Sequence, residues 1–416
     1  MGDFYRRLRC RMCDSGNLEK VVALTPTPPG NNFLAQSELV MPEPSYPLEL
    51  YFCRECHHLQ LGHVVDPKIL YQSDYSYVSA TSSKFVEHLR GYAAEIVGRF
   101  ALKPGALVVD IGSNDGTCLR FFRDAGMKVL GVDPATEIAR RATESGIETI
   151  GEFFSHELAV CLREQHGPAA LITSHNACAH IDRLDDVVRG VRHWLAEDGL
   201  FISEIGYLLD VYENVWFDTI YHEHLDYHTV APFKNLFART GMEAIGVQRV
   251  SPQGGSIRVV AQRAGGPRGN DGSVDALIGL EIQNNLDKAK TFVEFGRRID
   301  AVGAQLRSLI GALKANGKSI AGYGAATKAT TLLAHFQIGK NELDFIVDDN
   351  PLKQGLFSPS THIPVLPPDE LYRRRPDYVL ILAWNFAEPI IAMHRRYATE
   401  GGNFIVPMPT PRIIER

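Results

Sequence analysis

Residues 106–134, ALVVDIGSNDGTCLRFFRDAGMKVLGVDP, constrain the fold more than any other stretch. An apolar run reads as a buried strand, a Gly-containing turn follows, and an amphipathic helix leads to a second apolar strand ending at Asp133. That order opens a doubly wound α/β domain. Glycines at 112 and 116 let a ligand approach the backbone, and a carboxylate closing the second strand can accept both hydroxyls of a ribose. Gly112, Gly116 and Asp133 are therefore the expected contacts of an adenosine-containing ligand, and Asp110, Asn114 and Pro134, their neighbours in the same two turns, are expected cofactor contacts with them. The first turn lacks GxGxxG, which argues against a dinucleotide pyrophosphate at the helix start.

The turn DIGSNDGT resembles the first motif of class I S-adenosylmethionine-dependent methyltransferases, whose acidic residues meet a cationic cofactor. ALITSHNACAHIDRLDDVVRGVRHWLAEDGLFISEI continues as a fourth strand, a helix and a fifth strand, in the order that fold uses. Ligands bind at the carboxyl ends of strands in open α/β sheets, which is where His175, Asn176 and His180 fall. A histidine there is more often a helix cap than a catalyst, but His180 has the position to face a site.

Next comes EIGYLLDVYENVWFDTIYHEHLDY, which packs Tyr221, His222, Glu223 and His224 into consecutive positions. Titratable side chains are costly to bury without partners, so this cluster is a solvated turn or a site, and the site is the favoured reading. In a helix, Tyr221, His224 and His228 would share a face; in a strand, His222 and His224 would. A hydrolytic metal site is the competing reading, weakened because HEH lacks the i, i+4 histidines of HExxH. The domain closes with VQRVSPQGGSIRVVAQR, a hairpin whose GGS turn presents Ser256 and Arg258.

At the N-terminus, Cys10 and Cys13 form one CxxC knuckle and Cys53 and Cys56 a second. Two thiolates three positions apart can turn onto one tetrahedral ion, and the second pair closes the shell, so a structural zinc is expected. The long gap between knuckles implies an insertion containing TPTPPGNNF. Seven cysteines is an odd count and suits a reducing compartment rather than a disulfide framework. YQSDYSYVSATSSKFVEHL follows, with Tyr75 and Tyr77 before a Ser/Thr-rich helix cap.

The C-terminal region begins with the polar linker AGGPRGNDGS and a long helical stretch ending near Ala315. KSIAGYGAATKATTLL is then strand, Gly turn and helix, and DFIVDD, IPVL and DYVLILAW continue an α/β pattern. GYGAATK is neither a Walker A sequence nor a full GxGxxG, so it reads as an anion-holding turn. With 416 residues, 45% of them hydrophobic, the chain has material for two or three domains. A net charge of −6 excludes the basic excess of a nucleic-acid or membrane-surface binder. With no signal peptide or membrane span in sight, the expectation is a cytoplasmic protein.

Taken together, the paired CxxC knuckles, VDIGSNDGT, NACAHI, FDTIYHEHLDY, QGGSIR and AGYGAATKATTLL resemble the S-adenosylmethionine-dependent nucleotide-sugar C-methyltransferases that build branched deoxysugars. The resemblance runs over nearly the whole chain. It implies an α/β multidomain protein: a zinc-ribbon-like domain over 1–85, a class I methyltransferase Rossmann-like domain over 86–265, and a C-terminal Rossmann-like substrate-binding domain over 266–416. It puts the proton-abstracting base at His224, with Tyr221 and Glu223 beside it, a second histidine at His180 and the N-terminal tyrosine at Tyr75. Asn176 joins the cofactor contacts. Tyr77, His175, His222, Ser256, Arg258, Gly324, Lys328 and Asn385 are the expected substrate contacts, with Lys328 and the backbone of its turn meeting a diphosphate. The expected substrate is a dTDP-linked keto-sugar and the expected state a monomer. One departure is visible: small Ala177 and Cys178 stand where bulkier apolar residues are expected, which bears on the shape of the pocket. Methylation at C5, another acceptor atom, or cofactor binding without turnover remain the alternatives.

Overall fold

The computed structural model describes residues 2–71, 79–251 and 254–414. Its central sheet has seven strands in the order Met242–Val250, Ser256–Arg263, Leu195–Gly206, Ala169–His175, Leu107–Ile111, Lys128–Val132 and Thr149–Ile150. Ser256–Arg263 runs antiparallel to both its neighbours, and the rest are mutually parallel. Helices cover both faces, so the inner strands are apolar on both sides: Val108, Val109, Leu171 and Ile172 are all fully buried. Strand order reverses between Leu107–Ile111 and Ala169–His175, and the crevice at that switch point is where such sheets take ligands.

The N-terminal sheet is antiparallel and four-stranded, in the order Asp226–Tyr227, Leu59–Leu61, Tyr46–Cys53 and Leu18–Thr27. Its outer strand comes from the YHEHLDY segment itself. The Leu61 N–H donates to the Leu225 carbonyl (2.8 Å), and Leu225 in turn donates to Ala179 (2.7 Å). Buried Arg11 links the same elements, pairing with Asp182 at 2.9 Å and donating to the Leu61 carbonyl.

A 27-residue helix, Ala289–Ala315, leads to the third sheet, with Phe292 against Phe52 of the N-terminal sheet. The helical stretch expected from the sequence is two helices, because Asn285 adopts φ +56° and ends Ser273–Gln283 before the long helix starts. The third sheet has the order Val365–Leu366, Ile346–Val347, Ile320–Tyr323, Tyr378–Ile381, Asn403–Val406 and Arg412–Ile414, all parallel except the last. It too reverses beside its first strand, at the GYGAATK turn.

Candidate active site

The turn after Leu107–Ile111 is wound by Gly112 at φ +74°, where a Cβ would stand 2.4 Å from the Cβ of Ala177. Ala177 is small because this turn closes onto the segment that carries His175 and His180, which is the physical reason for the departure seen in the sequence. Asp133 is buried at the end of Lys128–Val132 and accepts the N–H groups of Asn114 (2.8 Å) and Ala135 (2.9 Å). A carboxylate has about four lone-pair sites, so two remain for a ribose. Burial raises the carboxyls of Asp133 and Asp110 above their ordinary range. Asp110 Oδ1 and His175 Nδ1 face one another at 4.0 Å, while Ser113 Oγ, Thr117 Oγ1 and His175 Nε2 are buried without a hydrogen-bond partner among the described residues. Orphaned polar atoms around a glycine turn fit a polar, cationic cofactor such as S-adenosylmethionine. Ser79 and Ala80 donate backbone N–H groups to Asn114 (2.9 Å) and Asp115 (3.2 Å), which brings the segment before the Ser82-capped helix over this turn. Pro134 and left-handed Asn176 flank it.

YHEH is neither helix nor strand. The His224 N–H donates to the Tyr221 carbonyl (2.9 Å), closing a turn that brings the two side chains together. His224 Nδ1 lies 2.9 Å from the Thr219 carbonyl, and its Nε2 lies 2.7 Å from the Tyr221 hydroxyl. A carbonyl can only accept, so Nδ1 carries the proton and Nε2 keeps the lone pair that accepts the Tyr221 O–H. Burial lowers the His224 pKa to about 4 against the opposing pull of the Thr219 carbonyl, so the ring is neutral near pH 7. The His180 ring centroid is 5.1 Å from that of His224. Burial, with His224 adding to it, lowers the His180 pKa to about 3, and its Nε2 has no partner among the described residues. Tyr71, which the sequence did not single out, stacks on His180 at 6.0 Å and reaches the Glu223 carbonyl.

His222 does not join this group. Its Nε2–H donates to the Thr27 carbonyl (2.9 Å), so the turn sends it into the N-terminal sheet, away from the substrate role expected of it. Glu223 is buried, which raises its carboxyl to about 7, and the positive charge acting on it is Lys353 of the third sheet's region. Lys353 donates to the Ala325 carbonyl (2.8 Å) in the GYGAATK turn. Arg258 is 3% exposed and held by Glu204 (3.0 Å) and Glu95 (2.7 Å), so its guanidinium is engaged within the protein rather than offered at the GGS turn. Ser256 pairs with Gly206 in the central sheet. Tyr75 and Tyr77 lie outside the described residues.

On the third sheet, Gly324 (φ +92°) forms the turn before the helix Thr327–Phe336. Lys328 donates to Asn385 Oδ1 (2.6 Å), and its Nζ sits 3.8 Å from the Trp384 ring centroid. Trp384 Nε1–H donates to Asp218 Oδ2 (2.6 Å), and Trp216 stacks on Trp384 at 5.0 Å. Trp216, Asp218, Trp384 and Lys353 were not recognised from sequence, although the first two stand just ahead of YHEH.

The four knuckle cysteines are unbridged and their sulfur atoms lie within 4.8 Å of one another, with Cys10–Cys56 and Cys13–Cys53 both at 3.5 Å. Tetrahedral thiolates about 2.3 Å from zinc stand roughly 3.8 Å apart, so the set fits that ion. The other such group among the described residues, Asp110, Cys118 and His175, lies under the cofactor turn, and neither contains a histidine of YHEH. Among the described residues no helix is long and apolar enough to cross a membrane.

Three family models match in succession: a zinc binding domain over residues 10–71, a methyltransferase domain over 85–247 and a C-methyltransferase C-terminal domain over 251–409. The C-methyltransferase NovU of Streptomyces niveus is 37% identical over 415 residues, spanning 100% of this chain and 99% of the relative. Among solved structures, magnesium protoporphyrin IX methyltransferase (ChlM) from Synechocystis PCC 6803 is 14% identical with a TM-score of 0.34, covering 46% of this chain and 87% of that one. An S-adenosylmethionine-dependent methyltransferase from Mesorhizobium loti is 17% identical with a TM-score of 0.33, covering 42% and 100%.

Proposed function

The chain belongs to the zinc-binding C-methyltransferases, enzymes that use S-adenosylmethionine, and from that membership we propose that it methylates C3 of a nucleoside-diphosphate-4-keto-6-deoxy sugar. A sugar supplies a carbon nucleophile readily only beside a ketone, so the reaction begins with removal of the proton α to the carbonyl. The observation that carries this reading is the pair of hydrogen bonds fixing His224: Nδ1–H on the Thr219 carbonyl and a lone pair on Nε2.

Nε2 takes the proton of the sugar carbon. A protonated Nε2 can no longer accept the Tyr221 O–H, so the same event frees that hydroxyl to donate to the developing enolate oxygen. His180, neutral and unpartnered at Nε2, is the second donor within reach. Removing a donor of this kind typically costs roughly 10²–10³ in rate. His224 is a weak base while its pocket is empty of charge, and the enolate's negative charge offsets the cost of the imidazolium as both appear together. Asp133, Asn114 and the Gly112 turn would hold S-adenosylmethionine, which supplies an electrophilic methyl group to the carbon nucleophile. Gly324, Lys328 and Asn385 would receive the diphosphate between the second and third domains. The division at about residues 85 and 265, thymidine as the nucleoside, a monomeric state and a cytoplasmic location belong to this proposal.

The test is incubation with S-adenosylmethionine and a dTDP-4-keto-6-deoxyhexose in D₂O, following C-methyl product and deuterium at C3 and C5 by NMR. Product, or His224-dependent exchange at C3, is expected; exchange confined to C5 moves the methylated position, and neither product nor exchange removes this sugar as substrate.

A further inference from the structure

The three-residue 3-10 turn Phe217–Thr219 faces two places at once. The Thr219 carbonyl holds Nδ1 of His224, while the adjacent Asp218 side chain points into the third domain and accepts from Trp384 Nε1 (2.6 Å). Trp384 lies under the Lys328 ammonium and against Trp216, whose ring leaves no room for a Cβ on Gly254 (2.8 Å). A further bond ties this turn to the same helix, from Thr331 Oγ1 to the Ile220 carbonyl (2.9 Å). Asp218 is 0% exposed, and its Oδ1 has no partner among the described residues. A buried carboxylate with one hydrogen bond is costly, and a structural contact to Trp384 alone needs no charge.

We propose that Asp218 is a positioning residue that keeps Lys328 charged and seated on Trp384, so that an anion subsite forms only where the methyl-transfer and C-terminal domains meet, one residue from the carbonyl that orients His224. The proposal rests on the reading of the substrate as a diphosphate and adds what controls its capture. Burial lowers Lys328 to about 8 and Asp218 is the charge that opposes the fall; burial raises Asp218 to about 6, with Lys328 opposing. The other charges at the turn are otherwise engaged: Asp348 accepts the Ala325 N–H (2.6 Å), Lys353 donates to the Ala325 carbonyl (2.8 Å), and Glu223 faces Lys353. Asn385 is neutral. Without Asp218, Lys328 loses its proton at a lower pH.

Calorimetric titration of the full zinc-loaded chain with inorganic pyrophosphate, at constant ionic strength from pH 6 to pH 9, tests this. The ratio of variant to wild-type affinity at each pH cancels the titration of the probe. Asp218→Asn is expected to bind pyrophosphate as well as wild type or better at pH 6, where Lys328 is charged in both and a repelling carboxylate is gone. At pH 8 it is expected to bind about fivefold more weakly, approaching tenfold at pH 9, the effect of lowering a Lys328 pKa of about 8 by about one. Trp384→Phe removes the N–H but leaves the carboxylate, so its ratio should stay closer to constant with pH. Lys328→Met should lose binding throughout. A ratio for Asp218→Asn that does not change with pH overturns the proposal, as does wild-type pyrophosphate affinity in Lys328→Met, which also decides the matter should Asp218→Asn fail to fold. Because the readout is binding, absence of methyl transfer to every keto-sugar tried would defeat the proposed function and leave this result intact.

Discussion

Tyr221 and His224 are joined by a 2.7 Å hydrogen bond from the phenol to Nε2, made possible because Nδ1 is occupied 2.9 Å away by the Thr219 carbonyl. The backbone thus chooses the tautomer, and Nε2 is the atom left with a lone pair. Replacing His224 by Ala should therefore abolish both deuterium exchange at the sugar carbon and methyl transfer, a loss of about 10²–10⁴-fold for a general base. The affinity for S-adenosylmethionine should stay within about twofold, since the Gly112–Asp133 turn is built separately; calorimetry and NMR exchange measure the two. Exchange that survives the substitution would remove His224 from the role of base.

Tyr221→Phe separates the two roles assigned to the phenol. Nε2 is left unoccupied and still able to accept a proton, but the enolate loses a donor. Turnover should fall by about 10²–10³ with little change in KM. Equal turnover by Tyr221→Phe would mean that His180 alone serves the enolate, and the doubly substituted Tyr221→Phe/His180→Ala chain would then show the whole loss.

What could be read from the sequence was local. The two CxxC knuckles and the strand–turn–helix around Gly112 announce themselves because their chemistry lies within a few residues. YHEH was legible as a cluster but not as a geometry. The strand period pairs His222 with His224, and the helix period groups Tyr221, His224 and His228; the turn keeps only the Tyr221–His224 contact and sends His222 to Thr27, because a turn aims its side chains by neither period. Contacts over long separations carried no signal at all: Trp384 reaches Asp218 across 166 residues, and Thr330 of the third domain donates to the Gly30 carbonyl in the loop that follows the strand Leu18–Thr27. Arg258 looked like a substrate contact because a basic residue beside a glycine turn usually is exposed; its partners Glu95 and Glu204 come from a helix and a strand remote from it in the chain.

The zinc knuckles should matter for catalysis as well as for stability, because the N-terminal sheet takes Asp226–Tyr227 as a strand and Thr27 holds His222. Cys56→Ser should reduce bound zinc from one ion per chain and lower methyl transfer at least about tenfold. S-adenosylmethionine affinity should change much less, since the cofactor turn hangs from the central sheet. Metal analysis alongside cofactor titration checks this, and full activity in a zinc-free chain would confine the ion to folding.

Acid should destabilise this protein earlier than carboxylate protonation alone requires. Burial lowers His222 and His224 to about 4, and His180 and His228 to about 3, whereas unfolded histidines titrate near 6.5. Between those values the unfolded chain binds protons that the folded chain refuses, so stability present above pH 6.5 is lost as the pH falls toward 4. Each tenfold difference in proton affinity is worth about 1.4 kcal/mol, so several such histidines produce a steep decline. Zinc release also occurs in acid, and His228 separates the two causes: it is 0% exposed, both its ring nitrogens lack hydrogen-bond partners among the described residues, and it packs on Phe233. His228→Phe removes one titrating ring and leaves the cysteines untouched. Its thermal midpoint should fall less than that of wild type between pH 7.5 and pH 5, whatever the offset at pH 7.5 from repacking the larger ring; parallel declines would assign the acid sensitivity to the zinc knuckles and the carboxylates instead.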